Sequence, residues 1–355
     1  MSAEPAWIRL PRHVLVGPNQ LNEVSAVIDE LGQVGPAVIV TTPTPRDIAA
    51  TRVAEQLRSS SEMDVTITVA DEATGAAVES AIDAATGAAL LIGVGGGTAI
   101  DIAKLASDRC GVGFISIPTA ASHDGIVSGR ASIPDGDTRH SVAADPPLAV
   151  IADTEIIADA PWELTTAGCA DIISNYTAVR DWQLARRLRN ESYSEYAATL
   201  SEMTAEMLVG AAEQVRPGLA DSASTVVKAL VSSGVAMSIA GSSRPASGAE
   251  HLVSHQLDRI APRPGLHGHQ VGVASIVTAY LQTGDDGDWQ RIRNALAALD
   301  APTTAAELGV EPDLFIEALT TAHEIRDRYT ILGDGITESA AREAVAVTGV
   351  IGTDD

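Results

Sequence analysis

Apolar and polar positions repeat with two different periods along this chain. Up to about residue 155, short apolar runs alternate with amphipathic stretches. Ala37-Val38-Ile39-Val40-Thr41 is bounded by Gly35-Pro36 and Pro43 and reads as a buried strand. Further strands are expected at 65–69, 89–93, 113–117 and 148–152. Helices are expected between them: 47–58, with Ile48, Val53 and Leu57 at helical spacing, and 76–84. Strands separated by helices imply a mostly parallel sheet covered on both faces, a Rossmann-like α/β domain.

Beyond 155 the strand-like runs fade, and Ala-rich stretches of helical period take over at 194–213, 222–240, 246–258, 288–299, 312–327 and 339–347. The expectation is an all-α C-terminal domain over 156–355, following a nucleotide-binding α/β domain over 1–155. A chain of 355 residues exceeds one ordinary core, which fits two domains. No internal repeat or low-complexity linker interrupts it.

Composition narrows the class. No apolar run of 18 residues is evident, so no membrane span is expected. The opening Met1 to Trp7 has no basic-then-apolar leader pattern. Two cysteines, Cys110 and Cys169, make no disulfide framework, and a reducing cytoplasm fits. The formal net charge of −24 repels phosphate backbones, which excludes nucleic acid as a partner. Lysine occurs only at Lys104 and Lys228, and all other basic residues are arginine. Abundant carboxylates with almost no lysine point to a salt-loving archaeon. Screening at about 1 M salt shortens the Debye length to about 3 Å, so self-repulsion costs little there.

The most informative short stretch is Ile92-Gly93-Val94-Gly95-Gly96-Gly97-Thr98-Ala99-Ile100-Asp101. A buried strand runs into three glycines and a helix follows. Backbone N–H groups from Gly95 to Thr98 and the positive end of the new helix suit a nucleotide pyrophosphate. The cluster follows the third expected strand, not the first, and Thr41 and Thr42 stand where a ribose-binding carboxylate would end the first. That leaves both NAD and NADP open. The next strand delivers Pro118-Thr119-Ala120-Ala121-Ser122-His123-Asp124-Gly125-Ile126-Val127-Ser128. Thr119, Ser122 and Ser128 offer hydroxyls to a cofactor. Asp124 offers an acceptor to a substrate hydroxyl.

Metal-ligand side chains gather at three places: Asp171 in Ala167-Gly168-Cys169-Ala170-Asp171, His251 and His255 on one helix face, and His267 with His269 sixteen and eighteen residues past His251. Four of eight histidines fall within 251–269, whereas His13, His140 and His323 are isolated. Two imidazoles and one carboxylate form a three-ligand site with a position left for water or substrate, suited to Zn²⁺, with Fe²⁺ or Ni²⁺ possible. Spacing alone leaves open which histidines are the ligands.

Taken together, the motifs Gly-Gly-Gly-x-x-x-Asp-x-x-Lys at 95–104, Pro-Thr-Ala-Ala-Ser-His-Asp-Gly at 118–125, Asp-Trp at 181–182, Ser-Arg-Pro-Ala-Ser-Gly-Ala-Glu-His at 243–251 and Leu-His-Gly-x-Gln-Val-Gly at 266–272 carry a resemblance. The chain resembles the archaeal sn-glycerol-1-phosphate dehydrogenases, in the superfamily of iron-type alcohol dehydrogenases, glycerol dehydrogenases and dehydroquinate synthases. The resemblance implies NAD(P)H-dependent reduction of dihydroxyacetone phosphate to sn-glycerol 1-phosphate for phospholipid synthesis, in a cytoplasmic homo-oligomer. It implies Asp171, His251 and His267 as zinc ligands, with Asp124, Asp171 and His255 at the substrate. Gly95, Gly96, Gly97, Thr98, Asp101, Thr119, Ser122 and Ser128 are implied at the cofactor. His269 departs from a glutamate common in relatives. His255, one turn from His251, is the expected proton relay. Arg244, Arg259 and Arg263 are candidates for the substrate phosphate. Rival readings are a glycerol dehydrogenase acting on unphosphorylated polyols, a dehydroquinate-synthase-like lyase that only cycles its NAD, and a non-catalytic nucleotide-binding protein.

Overall fold

The computed structural model describes residues 7–60, 63–135, 138–285 and 287–352, with only the backbone path at 133–135 and 138–141. Most of the opening segment read above for targeting, and the side chain of His140, lie outside the described residues. The chain divides into two compact units, Met1–Trp162 with Pro217–Gly241, and Glu163–Arg216 with Ser242–Asp355.

The first unit holds a six-stranded parallel sheet in the order β1-β8-β5-β4-β2-β3. Its strands are β1 (His13–Gly17), β2 (Ala37–Thr41), β3 (Val65–Val69), β4 (Leu90–Gly95), β5 (Gly113–Pro118) and β8 (Ala149–Asp153). The fully apolar runs became the central strands, because helices cover both faces and no position needs to be polar. Ile39, Ile92 and Ile115 lie side by side in register and anchor one face of the core. The edge strand β1 was not anticipated. It pairs only with β8 and leaves Val14 exposed, so its pattern is neither a buried run nor a clean alternation. A two-stranded antiparallel hairpin, β6 (Arg130–Asp135) and β7 (Thr138–Ala143), was also missed.

The helix Ala220–Ala240 belongs to this first unit, where it packs on β1, on the short helix Thr154–Ala158 and on the turn Asp124–Ile126. A single cut near residue 155 therefore does not describe the division. Leu230, Val226 and Val227 on its buried side bring it back to the sheet. By length and composition alone this 21-residue helix is apolar enough to cross a membrane, but a partly buried helix packed within a unit passes the same test, so it does not overturn the expectation of no span. Interspersed serines and Lys228 kept it from reading as an apolar run.

The second unit is helical throughout its described residues. The helices that matter below are Trp162–Ile173, Asn175–Arg189, Ala249–Ile260 and His267–Thr283. The first and last approach unusually closely. A Cβ at Gly268 would fall 2.0 Å from the carbonyl oxygen of Ala167, and one at Gly272 would fall 2.8 Å from Cβ of Ala170. Only glycine permits that approach, and it brings the start of the second helix beside Asp171 on the first.

Candidate active site

In the first unit, β4 ends in the glycine turn and the helix Gly97–Cys110 begins there. Gly95 has a φ of +153°, which only glycine adopts readily, and Gly96 caps the helix without a side chain. Thr119 N–H donates to the Gly95 carbonyl at 3.0 Å, tying the end of β5 to the turn. Gly95, Gly96, Gly97, Thr98, Thr119 and Ser122 thus gather at the carboxyl ends of adjacent strands, where open α/β sheets take ligands. Thr41, ending β2, turns its hydroxyl to the Val94 carbonyl at 2.8 Å.

His123, to which no role was given, sits directly on this turn. A Cβ at Gly97 would lie 2.1 Å from its Nε2. Its Nδ1 accepts from Gly125 N–H at 3.0 Å, so in the neutral ring Nε2 carries the proton. Asp101 is occupied from within the fold: its oxygens accept from Lys104 Nζ at 3.3 Å and from Ser132 N–H at 2.9 Å. Lys104 is fully buried, and it also donates to the carbonyls of Gly125, at 2.6 Å, and Arg130. Burial lowers its pKa, while the Asp101 charge works the other way. Asp124 accepts from Ser233 at 2.8 Å. Ser128 is buried, and its hydroxyl has no hydrogen-bond partner among the described residues, a state that suits a ligand contact.

In the second unit, the structure brings Asp171, His251 and His267 together, with one possible ligand atom from each, all within 4.8 Å of one another. Asp171 is buried and both rings are half-buried. Nε2 of His251 lies 3.5 Å from Oδ1 of Asp171, and its Nδ1 lies 3.0 Å from Oε1 of Glu250. Glu250 is itself fully buried, and it accepts from Thr177 Oγ1 at 2.8 Å and from Gly248 N–H. Burial presses the His251 pKa down, but Asp171 and Glu250 outweigh it and raise the pKa to about 9. The same contacts to His251, Gly248 and Thr177 hold Glu250 below its ordinary value despite its burial.

The tautomer of His267 follows from a chain of contacts. Gln270 Nε2 donates to Asp258 Oδ1 and to the Gly265 carbonyl, at 3.1 Å each, so its Oε1 faces Ser254. The Ser254 hydroxyl donates to that Oε1 at 2.9 Å and must accept from Nδ1–H of His267 at 2.9 Å. The lone pair of His267 is then on Nε2. With Nδ1 of His251 donating to Glu250, both rings are set up in the form that metal-binding imidazoles need.

His255 stacks on His267 with ring centroids 5.8 Å apart. His269 is separate from this group. Its Nε2 lies 2.8 Å from Thr166 Oγ1, and burial lowers its pKa to about 4. Of the three arginine candidates, Arg244 is buried on Glu191, Arg259 reaches Gln256 at 3.5 Å, and Arg263 is exposed. Two arginines that sequence reasoning passed over, Arg326 and Arg328, bond to the segment just before the His251 helix. They lie some eighty residues away along the chain, and no local signal marked them.

Comparison with known proteins identifies the family. The family signature of iron-containing alcohol dehydrogenases matches residues 15–161. A glycerol-1-phosphate dehydrogenase (NAD(P)+) of Natronomonas pharaonis is 65% identical over 353 residues, covering 99% of this chain and 100% of that one. The protein of the same name from Halorubrum lacusprofundi is also 65% identical, covering 99% of each chain. Among solved structures, a probable glycerol dehydrogenase from Sinorhizobium meliloti superposes with a TM-score of 0.80 at 19% identity, over 97% of this chain and 98% of that one, which shows a shared fold. With that identity sustained along its length, the chain belongs to the glycerol-1-phosphate dehydrogenase family of iron-containing alcohol dehydrogenases.

Proposed function

We propose that this chain reduces dihydroxyacetone phosphate with NADH or NADPH to sn-glycerol 1-phosphate. The observation that carries the reading is the convergence of Asp171, His251 and His267, with both rings held by Glu250 and Ser254 in the metal-binding tautomer. One carboxylate and two imidazoles fit zinc, and also Fe²⁺ or Ni²⁺. Held by Asp171, His251 and His267, the ion would supply Lewis acidity to polarise the substrate carbonyl for hydride transfer.

The chain's own residues do the rest. Asp171 is both a ligand and a contact for the substrate. His255, one turn along from His251 and stacked on His267, delivers the proton to the product's C2 oxygen. Asp124 accepts from a substrate hydroxyl. At the glycine turn, Gly95, Gly96, Gly97 and Thr98 offer N–H groups to the pyrophosphate, with Thr119, Ser122 and Ser128 beside them. At Gly96 an added Cβ would meet nothing within 4 Å, and that open side of the turn supports the assignment. We assign Asp101 to holding the turn from within, since Lys104 and Ser132 occupy its oxygens. No carboxylate ends β2, so the reading includes use of both NAD and NADP.

The setting we assign is a salt-rich archaeal cytoplasm, which the net charge of −24 supports, and a homo-oligomer. The test is turnover in concentrated KCl with each nicotinamide, followed by chiral analysis of the product. We expect glycerol 1-phosphate, loss of activity on chelation and recovery on adding zinc. Faster turnover of dihydroxyacetone than of its phosphate would instead make the chain a glycerol dehydrogenase. Turnover without net NADPH consumption would make it a lyase.

A further inference from the structure

In the second unit the helix Glu195–Ala211 packs on the helices Asn175–Arg189 and Trp289–Ala298 and leaves its other side uncovered. Ala197, Ala198, Ala205 and Leu208 lie on the packed side and are buried. On the far side Tyr196, Leu200, Met203, Met207 and Gly210 recur at spacings of four and three, so they share one face. Tyr196 is 84% exposed, Met207 68% and Met203 49%. Gly210 is exposed too, and a Cβ there would meet nothing within 4 Å.

The chain has five tyrosines and five methionines, and this face takes one of the first and two of the second. Apolar residues exposed singly are ordinary. A continuous row along a 17-residue helix, about 25 Å long, on a chain of net charge −24 marks a contact surface. Tyrosine and methionine are also residue types enriched at protein interfaces.

Charge beside the row indicates what covers it. Glu195, Glu202 and Glu206 line one flank, and Glu213 follows just past the helix end. Glu195 is paired with Arg186, and Glu206 with Arg291 at 2.8 Å. Glu202 and Glu213 are exposed and have no ion-pair partner among the described residues, and the same holds for Arg187. A second copy of the helix, antiparallel and turned about an axis at Met203, answers both the row and the flank. It sets Tyr196 against Gly210 of the partner subunit, a large ring against an open side, and Leu200 against Met207 of the partner subunit. On the flank it brings Arg186 and Arg187 to Glu213 of the partner subunit, and Arg291 to Glu202 of the partner subunit. A twofold axis makes each of these matches twice from the same residues, whereas a foreign partner would have to supply them all.

We propose that this face of Glu195–Ala211 is a homodimer interface, closed by a second copy of the chain packed antiparallel across Met203. It rests on the homo-oligomer assigned above and gives that assembly a definite contact face.

The experiment follows the full chain by sedimentation velocity at fixed KCl. The wild type should sediment as a dimer or a multiple of one. Met203→Glu, at an exposed position, should keep the wild-type circular dichroism and reduce the assembly to half its size, with a dissociation constant raised about 30-fold or more. Arg187→Glu and Glu213→Arg should each weaken the dimer, and the two together in one chain should restore it, because the swapped charges meet again across the axis. Met203→Cys in a Cys110→Ser background should give a covalent dimer on mild oxidation, since a residue on the axis meets its own copy. A monomeric wild type would overturn both the interface and the homo-oligomer. An assembly that Met203→Glu leaves intact and Met203→Cys does not cross-link would overturn this face alone. Failure of the double charge variant to recover would overturn the antiparallel pairing.

Discussion

Nδ1 of His267 lies 2.9 Å from the hydroxyl of Ser254, and that hydroxyl is committed by its other contact to Gln270. The serine touches no reacting atom in the proposed chemistry, yet it decides which ring nitrogen carries the lone pair. Ser254→Ala removes the acceptor that holds Nδ1–H. Metal affinity should fall about 10- to 100-fold, the usual effect of losing a partner behind a metal-binding imidazole. Competition with a chromophoric chelator measures this. Unchanged affinity would mean that the ring is held by its helix alone.

Gly268→Ala tests the close crossing that brings His267 to Asp171. The added Cβ would overlap the Ala167 carbonyl oxygen, which is backbone and cannot rotate away. The helix His267–Thr283 must shift, carrying His267 with it. A loss of about 3 kcal/mol or more in unfolding free energy is expected, together with loss of tight metal binding. Gly210, where an added Cβ would meet nothing within 4 Å, is the control, and Gly210→Ala should leave metal binding intact.

Much of this arrangement was legible along the chain, for identifiable reasons. β2, β4 and β8 are fully buried, so their apolar runs are continuous and unambiguous. β1 is an edge strand and escaped notice, because half-buried positions carry no strong period. Histidine is scarce here, so the cluster at 251–269 stood out. Which members converge depends on the helix crossing at Gly268 and on the hydroxyl of Ser254, and neither has a signature in residue spacing. Arg326 and Arg328 reach Ser247 and Ser243 across a long stretch of chain, and in a protein whose basic residues are nearly all arginine they look like ordinary surface charges.

Lys104 is one of only two lysines and is fully buried, where it joins Asp101 to the carbonyls of Gly125 and Arg130. Lys104→Met should keep the volume and remove the charge. Asp101 would be left as a buried carboxylate that keeps the Ser132 N–H donor but loses its counter-charge, a loss of about 3–5 kcal/mol. Adding Asp101→Asn to that variant should recover part of the stability, since the uncompensated charge is gone. Chemical denaturation of the single and double variants at fixed KCl checks this. If the double variant is no better than the single, the carbonyl contacts rather than the ion pair hold the turn.

Asp181 offers a pH-dependent test of how the His251 helix is anchored. Its carboxylate is fully buried and accepts from Ala249 N–H at 2.8 Å, from Gln282 at 2.9 Å and from Ile331 N–H at 2.9 Å. Burial, helped by the Glu250 charge, raises its pKa to about 7 in spite of those donors. A folded-state pKa above the unfolded value of about 3.9 stabilises the fold fully at low pH, and that contribution is lost as the pH rises. The loss therefore runs from about pH 4 to about pH 7 and then levels off, with a size on the order of a few kcal/mol. Asp181→Asn cannot titrate. The wild-type unfolding free energy minus that of Asp181→Asn should decline steadily from pH 5 to pH 7 and stay flat from pH 7 to pH 8. Denaturant titrations at constant KCl measure the difference, and parallel pH curves for the two proteins would show that Asp181 stays ionised throughout, held by its three donors.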